Sequence, residues 1–404
     1  MQTREIMGGE EKNLNPMDYL VTDLLEEILL GLPLKSVFRF KTVSKQWRSI
    51  LESRRFVDMR LKKVQKKLKI LAVGEGRTKS GFEGDEEIEM IYLHCDDATQ
   101  PSLTFDGLVC IPKPGWINVL NPSTRQLRRF PCSPDHPVSP FCLNRQLRAW
   151  PYLTFFPGNW AMGFGRDKVN GCYKVVRMCF DPVEECEVLD LETGEWRKLN
   201  PPGPPFHDID VGRKSVCVNG SIYWLKLLWD LKLLALNLHT LEFRYVSIPH
   251  TWFTLDTQIM NLEDRLAIAK THGGPEWELE ILSMMDSEEE LWTKTYSITL
   301  ASIIIGLPWE HSWFTVVTVS KLGNLVLYDK HKRLFKYNTK TNEICCLSSN
   351  ISVISLCLEN LAPLRSDSGH HPDPDPEDYK IRISSCGLCL KHPEAGISTL
   401  VVDR

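Results

Sequence analysis

Several things are missing from this sequence, and each absence closes off a class of protein. No stretch approaches the roughly 18 uninterrupted apolar residues that a membrane span needs. The first twenty residues, MQTREIMGGEEKNLNPMDYL, hold no apolar run of signal-peptide type. Secretion and membrane insertion are therefore not expected; the predicted location is the nucleus, the cytoplasm or both. Excess charge of one sign is also lacking: 48 Lys and Arg face 52 Asp and Glu, a net charge of -4. Bulk electrostatics do not make the whole chain a polyanion binder.

Signatures of catalysis are absent as well. No GxSxG, HExxH, Walker-type or GxGxxG pattern occurs. The acidic residues Glu184–Glu185 and Glu288 to Glu290 are consecutive. In a strand such neighbours point to opposite faces, and in a turn they are solvated. "GFGRDKVNG" (Gly163 to Gly171) has glycines without the downstream helix of a phosphate cradle, so it reads as turns. No enzymatic activity is expected.

The 13 cysteines are scattered and odd in number, which fits reduced thiols buried as small hydrophobes; Cys345–Cys346 is read the same way. Cys386, Cys389 and His392, with His370 and His371 upstream, lack the second ligand pair of a zinc site. Neither a metal nor another cofactor is expected.

What is present begins with a helical stretch. Leu24, Leu25, Ile28, Leu29 and Leu32 fall at i, i+1, i+4, i+5 and i+8, one face of a helix. Thr22 or Asp23 can cap it, acidic Asp23, Glu26 and Glu27 suit its N-terminal dipole, and Gly31 with Pro33 ends it. A second helix after Pro33 is expected to bury Leu34, Val37, Phe40 and Val43. Ser44 reads as the cap of a third, with Trp47, Ile50 and Leu51 inward and Lys45 and Arg48 outward. Three helices this short cannot satisfy their apolar faces alone, which calls for a partner chain.

"DLLEEILLGLPLKSVFRFKTVSKQWRSILESRRF" closely resembles the F-box, over roughly Asp18 to Arg60. The resemblance implies a Skp-type adaptor as partner and, through it, a cullin. It implies that Leu20, Leu24, Leu25, Ile28, Leu29, Leu32, Pro33, Leu34, Val37, Val43 and Trp47 make the adaptor contact or hold its shape. The family opens its motif with Leu-Pro; here the pair is Leu20–Val21, without the pre-set helix start, which points to weaker adaptor binding. Between Arg39 and Lys69, twelve basic residues face Glu52 and Asp58 alone. That excess leaves a nucleic-acid-binding transcription regulator as the alternative. Base-reading side chains are not interleaved, so a solvated face is favoured and nucleic acid is not the expected partner.

Beyond the glycine-rich "GEGRTKSGFEGDEE" (Gly74 to Glu87), short apolar runs alternate with turn signals. "SVCVNGSIYWL" reads as a hairpin about Asn219–Gly220. A repeat then emerges: "NPSTRQL", "DLETGEW", "NLHTLEF" and "NTKTNEI", beginning at Asn121, Asp190, Asn237 and Asn338, with a degraded copy "DSEEELW" at Asp286. Each opens with Asp or Asn and has a large apolar residue seventh. Glycines precede the copies at Gly107, Gly171, Gly220, Gly274 and Gly323. The Asp or Asn side chain can bond N–H groups two residues on, and the seventh residue starts a strand facing the core. Spacings of 69, 47, 49 and 52 residues between copies match propeller blades better than a sandwich or barrel. Strands near Ile70 and Ile351 would help complete another blade.

The ordered segments "NPSTRQLRRFP", "GFGRDKVNGCYKVVRM", "VLDLETGEWRKL", "SVCVNGSIYWL" and "LALNLHTLEFRYVSIP" resemble the F-box-associated domain of plant F-box proteins, over roughly residues 100 to 355. That resemblance implies a kelch-like recognition domain holding a target for ubiquitin transfer. The expected fold is therefore α+β and multidomain, a small three-helix F-box ahead of a mainly-β, propeller-like domain. The expected division is 1–15 disordered, 16–62 F-box, 63–100 linker and first strands, 101–358 propeller-like, and 359–404 a partly disordered acidic, proline-rich extension. Trp150, Trp160, Phe206, Trp229, Trp252 and Trp313 are candidate target contacts, each favoured as packing. The target and its binding residues stay unassigned.

Overall fold

A computed structural model of the chain describes residues 22–63, 67–73, 82, 85–95, 102–113, 115–131, 160–179, 184–199, 209–210, 213–226, 232–249, 257–272, 277–300, 314–329, 331–364 and 382–386. The chain divides into two compact units, residues 1–63 and 64–404.

The first unit has four helices rather than the three expected: α1 (Thr22–Gly31), α2 (Leu34–Phe40), α3 (Lys45–Leu51) and α4 (Arg54–Lys62). Ser44 caps α3 as the sequence predicts, accepting from the Trp47 N–H at 3.1 Å. Ser53 does the same for α4, accepting from Phe56 N–H at 3.2 Å, and α4 buries Phe56, Val57 and Arg60. With this fourth wall the unit closes a core of Leu25, Leu29, Val37, Ile50, Leu51, Phe56 and Val57.

The second unit is a six-bladed β-propeller. β1 (Leu68–Val73) and β2 (Ile88–His94) come first in the chain and belong to the closing sheet. The first complete blade follows: β3 (Leu103–Phe105), β4 (Leu108–Lys113), β5 (Trp116–Asn121) and β6 (Gln126–Pro131). β7 (Ala161–Arg166), β8 (Tyr173–Cys179), β9 (Glu185–Asp190) and β10 (Trp196–Lys198) form the next. β11 (Val216–Val218), β12 (Ser221–Leu225), β13 (Lys232–Asn237) and β14 (Phe243–Ser247) make the third. β15 (Gln258–Leu262), β16 (Arg265–His272), β17 (Glu278–Asp286) and β18 (Leu291–Thr299) make the fourth, and β19 (Phe314–Val319), β20 (Leu325–Asp329), β21 (Leu334–Asn338) and β22 (Glu343–Ser348) the fifth. These five sheets are antiparallel meanders whose first strands, β3, β7, β11, β15 and β19, lie innermost.

The closing sheet has the order β23 (Val353–Leu356), β1, β2, β24 (Arg382–Cys386). It draws two strands from 63–100, expected to hold a linker and first strands, and one from the expected extension at 359–404, so the propeller reaches past 101–358 at both ends. β1 and β2 pair in parallel, which demands a crossover between them, and Phe82 from that crossover is buried with Ile70, Ile88 and Met90. The expected disorder of 1–15 and of the proline-rich segment 366–380 lies outside the described residues, as do Cys389, His392, His370 and His371.

The sequence repeat is the turn between third and fourth strands. Oδ1 of Asn121, Asp190, Asn237, Asp286 and Asn338 each accepts from the N–H groups two and three residues on, at 2.7–3.4 Å. The fifth residue of every copy, Arg125, Gly194, Leu241, Glu290 or Asn342, takes a positive φ of 53–77°. The seventh, Leu127, Trp196, Phe243, Trp292 or Ile344, is half-buried against a blade core. Asn219 and Gly220 (φ 50° and 80°) make the expected hairpin of β11 and β12. In the fourth blade the corresponding hairpin is Glu263–Asp264, not Gly274, which is outside the described residues.

Two of the glycines read as turn residues are strand residues. Gly163 and Gly165 sit in β7, where a Cβ would lie 2.6 Å from the Trp224 ring and 2.4 Å from Cys217 Sγ. The third blade packs against bare backbone there. Only Asp167 to Gly171 is a turn.

Candidate adaptor-docking site

The helical unit sorts its apolar residues by a rule that periodicity alone did not reveal. Of the five apolar residues of the first helical stretch, Leu25 and Leu29 are buried, whereas Leu24 and Ile28 are 51% and 50% exposed. The stripe is wide enough to serve two faces, one inward and one free. Leu32 and Leu34 are half-buried and Pro33 is exposed where α1 passes into α2. Val37 is buried, but Val43, expected inside, is 53% exposed because it follows α2 in a turn. Trp47 is half-buried with its ring centroid 5.2 Å from that of Phe40. Leu20 lies outside the described residues, as does Val21.

Leu24, Ile28, Pro33 and Val43 therefore offer solvent-facing apolar surface, Leu32, Leu34 and Trp47 offer part of theirs, and Leu25, Leu29 and Val37 hold the shape behind them. α4 fixes the exit of α1. Arg60, buried beneath, donates from Nη1 to the Leu30 and Leu32 carbonyls at 3.3 and 2.8 Å, and Lys63 Nζ also bonds the Leu30 carbonyl. These carbonyls end α1 and would otherwise lack partners. Arg60 went unnoticed in the sequence; the signal that could have found it is the Phe56–Val57–Arg60–Leu61 spacing behind Ser53. Arg55 meets both Asp23 and Glu26, at 3.3 and 3.2 Å, tying α4 to the acidic start of α1.

The basic excess is partly neutralised within the unit: Lys41 pairs with Glu52 at 3.5 Å and Arg54 with Asp58 at 3.8 Å. Among the described residues no group of three or more His, Cys, Asp and Glu could hold a metal ion. In the propeller, Glu184 and Glu185 flank the start of β9, where Glu185 pairs with Lys198, and Glu288 to Glu290 fill an exposed turn.

Comparison with known proteins matches residues 17–58 to the F-box domain and residues 75–350 to the F-box associated beta propeller domain. The chain belongs to the F-box proteins with an F-box-associated β-propeller. An F-box/LRR-repeat protein of Arabidopsis thaliana is 51% identical over 98% of this chain and 94% of its own. An F-box/kelch-repeat protein of the same plant is 53% identical over 95% of this chain and 92% of its own. F-box proteins are in general substrate adaptors of Skp–cullin–F-box ubiquitin ligases, and their F-box generally binds a Skp-type adaptor. Both domains are typical of non-catalytic subunits. The family description spans neither β1 nor β23 and β24, so three of the four strands that close the ring lie outside it.

Of the six aromatic candidates for target contact, Trp160 is described, and it is packing. It is buried against the Arg177 guanidinium, 4.6 Å from its ring, while Trp196 covers the same group at 4.7 Å. Trp150, Phe206, Trp229, Trp252 and Trp313 lie outside the described residues.

Proposed function

We propose that the chain is the substrate-receptor subunit of a Skp–cullin–F-box ubiquitin ligase, acting in the nucleus or cytoplasm. The F-box unit tethers it to the Skp-type adaptor and so to the cullin, and the propeller holds a target protein. The observation that carries the adaptor half is the free stripe of Leu24 and Ile28 on a unit whose own core is already complete. A half-exposed apolar pair one helical turn apart, backed by a closed core, is a surface waiting for a second chain. The receptor contributes effective concentration of target lysines near the ubiquitin donor and needs no nucleophile of its own.

The test is co-purification of the full chain with a Skp-type adaptor. Changing Leu24, Ile28 and Trp47 to Asp abolishes it while the propeller stays folded. Undiminished co-purification of that triple variant overturns the proposal. The alternative, nucleic-acid binding through the basic helices, is disfavoured by the ion pairs that tie Lys41, Arg54 and Arg55 to carboxylates of the same unit. A salt-dependent DNA shift by the full chain would revive it.

A further inference from the structure

The outermost strand of each blade is an edge, and an edge offers unpaired N–H and C=O groups to any chain that lies beside it. Three blades blunt theirs. β10 is three residues long. β6 ends in Pro131, whose carbonyl accepts from the Trp196 indole N–H of the next blade at 2.8 Å. In β14 the Ser247 carbonyl accepts from the Trp292 indole N–H at 2.9 Å, and the Ser247 N–H donates to Glu290 Oε2 at 2.9 Å. β18 has none of these devices. It runs nine residues, LWTKTYSIT, without proline. Its one charged residue, Lys294, turns its amine onto Glu280 of its own blade. At the position from which Trp196 and Trp292 reach back, the following blade carries Ile344, which has no side-chain donor. Among the described residues no side chain of another blade bonds to the β18 backbone. Leu291, Thr293, Lys294, Thr295, Ser297 and Thr299 are exposed along it.

Both ends of this edge are acidic. At one end is the turn from β17, where Glu288 and Glu289 are exposed and enter no ion pair among the described residues. The two turns of the blade at that end carry six carboxylates, those of Glu263, Asp264, Asp286, Glu288, Glu289 and Glu290. Two guanidinium groups approach them: Arg244 donates to the Ser287 carbonyl at 3.5 Å, and Arg265 lies 3.5 Å from the Met285 sulfur. Met285 and Leu291, beside the same turn, are 50% and 52% exposed. At the other end Glu278 pairs in register with Thr299, and its carboxylate accepts from the Ser297 hydroxyl. Glu280, between the two ends, is neutralised by Lys294 and by His272 at 2.7 Å.

We propose that the outer edge of β18 is a docking strip for an extended segment of a target protein. The segment adds to the fourth blade as a fifth strand and carries a basic residue at each end, about 25 Å apart. Backbone bonding supplies the affinity, Met285 and Leu291 receive an apolar side chain near one end, and Glu278 with Glu288 and Glu289 fixes the register by charge. The same carboxylates disfavour a second copy of this chain as the occupant. Two β18 strands paired in parallel set Glu288 beside Glu288, and paired antiparallel they set Glu288 beside Glu278. The strip names the kind of segment the propeller holds; it deepens the receptor reading above and rests on it.

The test uses the full chain and three fluorescein-labelled peptides: KRTVTSTITRK, its proline form KRTVTPTITRK and its acidic form EETVTSTITEE. Anisotropy reads affinity, and amide exchange over residues 291–299 reads where the peptide lies. The first peptide is expected to bind saturably, to slow exchange in 291–299 and to bind at least about tenfold more tightly than either of the others. The double variant Glu288→Lys, Glu289→Lys sits in a turn whose Asx bonds use the backbone N–H groups of these residues, so it keeps the fold. It should weaken binding of the first peptide at least about tenfold. Thr295→Pro, at the residue that the bulge leaves without a partner in β17, abolishes binding; should that variant fail to fold, the double variant decides. Equal binding of the acidic peptide, equal binding by the double variant, or no saturable binding at millimolar peptide overturns the proposal. So does binding that leaves exchange in 291–299 unchanged. Concentration-dependent protection of 291–299 in the chain alone overturns it in favour of self-association. Adaptor co-purification of the double variant stays intact in every case, which separates failure of this strip from failure of the tethering proposal.

Discussion

Leu24 and Leu29 are five residues apart on one helix, and their truncation to alanine is expected to do opposite things. Leu29 has no exposed surface, so Leu29→Ala removes packing and leaves a cavity in the helical unit. Such a change costs about 2–5 kcal/mol, a large part of the stability of a unit this small. Leu24 is half exposed, and the unit already closes without the free half. Its truncation should shift stability by no more than about 0.5 kcal/mol. Fully burying a leucine is worth about 1.5–3 kcal/mol, so covering the remaining half with a partner contributes about 1 kcal/mol. The same reckoning holds for Ile28, and the double variant Leu24→Ala, Ile28→Ala should bind adaptor about thirtyfold more weakly. Calorimetric titration of adaptor against the full chain reads the affinity, and amide exchange over residues 22–63 reads the local stability. If Leu24→Ala loosens exchange as much as Leu29→Ala while adaptor affinity is unchanged, the division into a free face and a shape-holding face is wrong.

Three further outcomes concern the propeller, each read by denaturant or thermal unfolding. Arg177 is fully buried between Trp160 and Trp196, with Nε 3.2 Å from Glu187 Oε2. Glu187→Leu strands the guanidinium and should cost about 3–5 kcal/mol, whereas adding Arg177→Met should recover much of that loss. Gly163→Val, which drives side-chain atoms into the Trp224 ring, should destabilise by at least about 1–3 kcal/mol, whereas Gly115→Ala, whose Cβ meets nothing within 4 Å, should cost only the strain of its φ of 82°, about 1 kcal/mol. At Asp167, burial pushes the carboxyl pKa up, but the Asn170 and Val169 N–H groups, His239 and Lys174 outweigh it and hold the value below the ordinary one. Because the folded pKa is the lower, its stabilisation is complete above the unfolded value near pH 3.9 and fades as pH falls through the folded one. Asp167→Asn should therefore differ most from wild type at neutral pH and converge with it in acid; a constant difference would refute that assignment.

The sequence by itself determined those features that a few consecutive residues enforce. Ser44 caps a helix because its hydroxyl reaches the N–H three residues on, and Gly31 with Pro33 ends α1 because neither favours continuing it. The repeated Asp or Asn fixes each third-to-fourth-strand turn through its own backbone, so blade-sized periodicity could be read directly. The propeller and the F-box were legible for the same reason. Tertiary structure alone decided which apolar residues are covered. Leu24 and Leu25 are chemically identical neighbours, and only the arrival of α4, with Arg60 gripping the end of α1, makes one inner and the other outer. It also decided how the ring closes. Strands near Ile70 and Ile351 are legible as contributors to a closing blade, but the parallel pairing of β1 with β2 and the addition of β24 depend on long-range hydrogen bonds that no local pattern encodes. Local chemistry sets turns and caps, whereas enclosure depends on what the rest of the chain brings near.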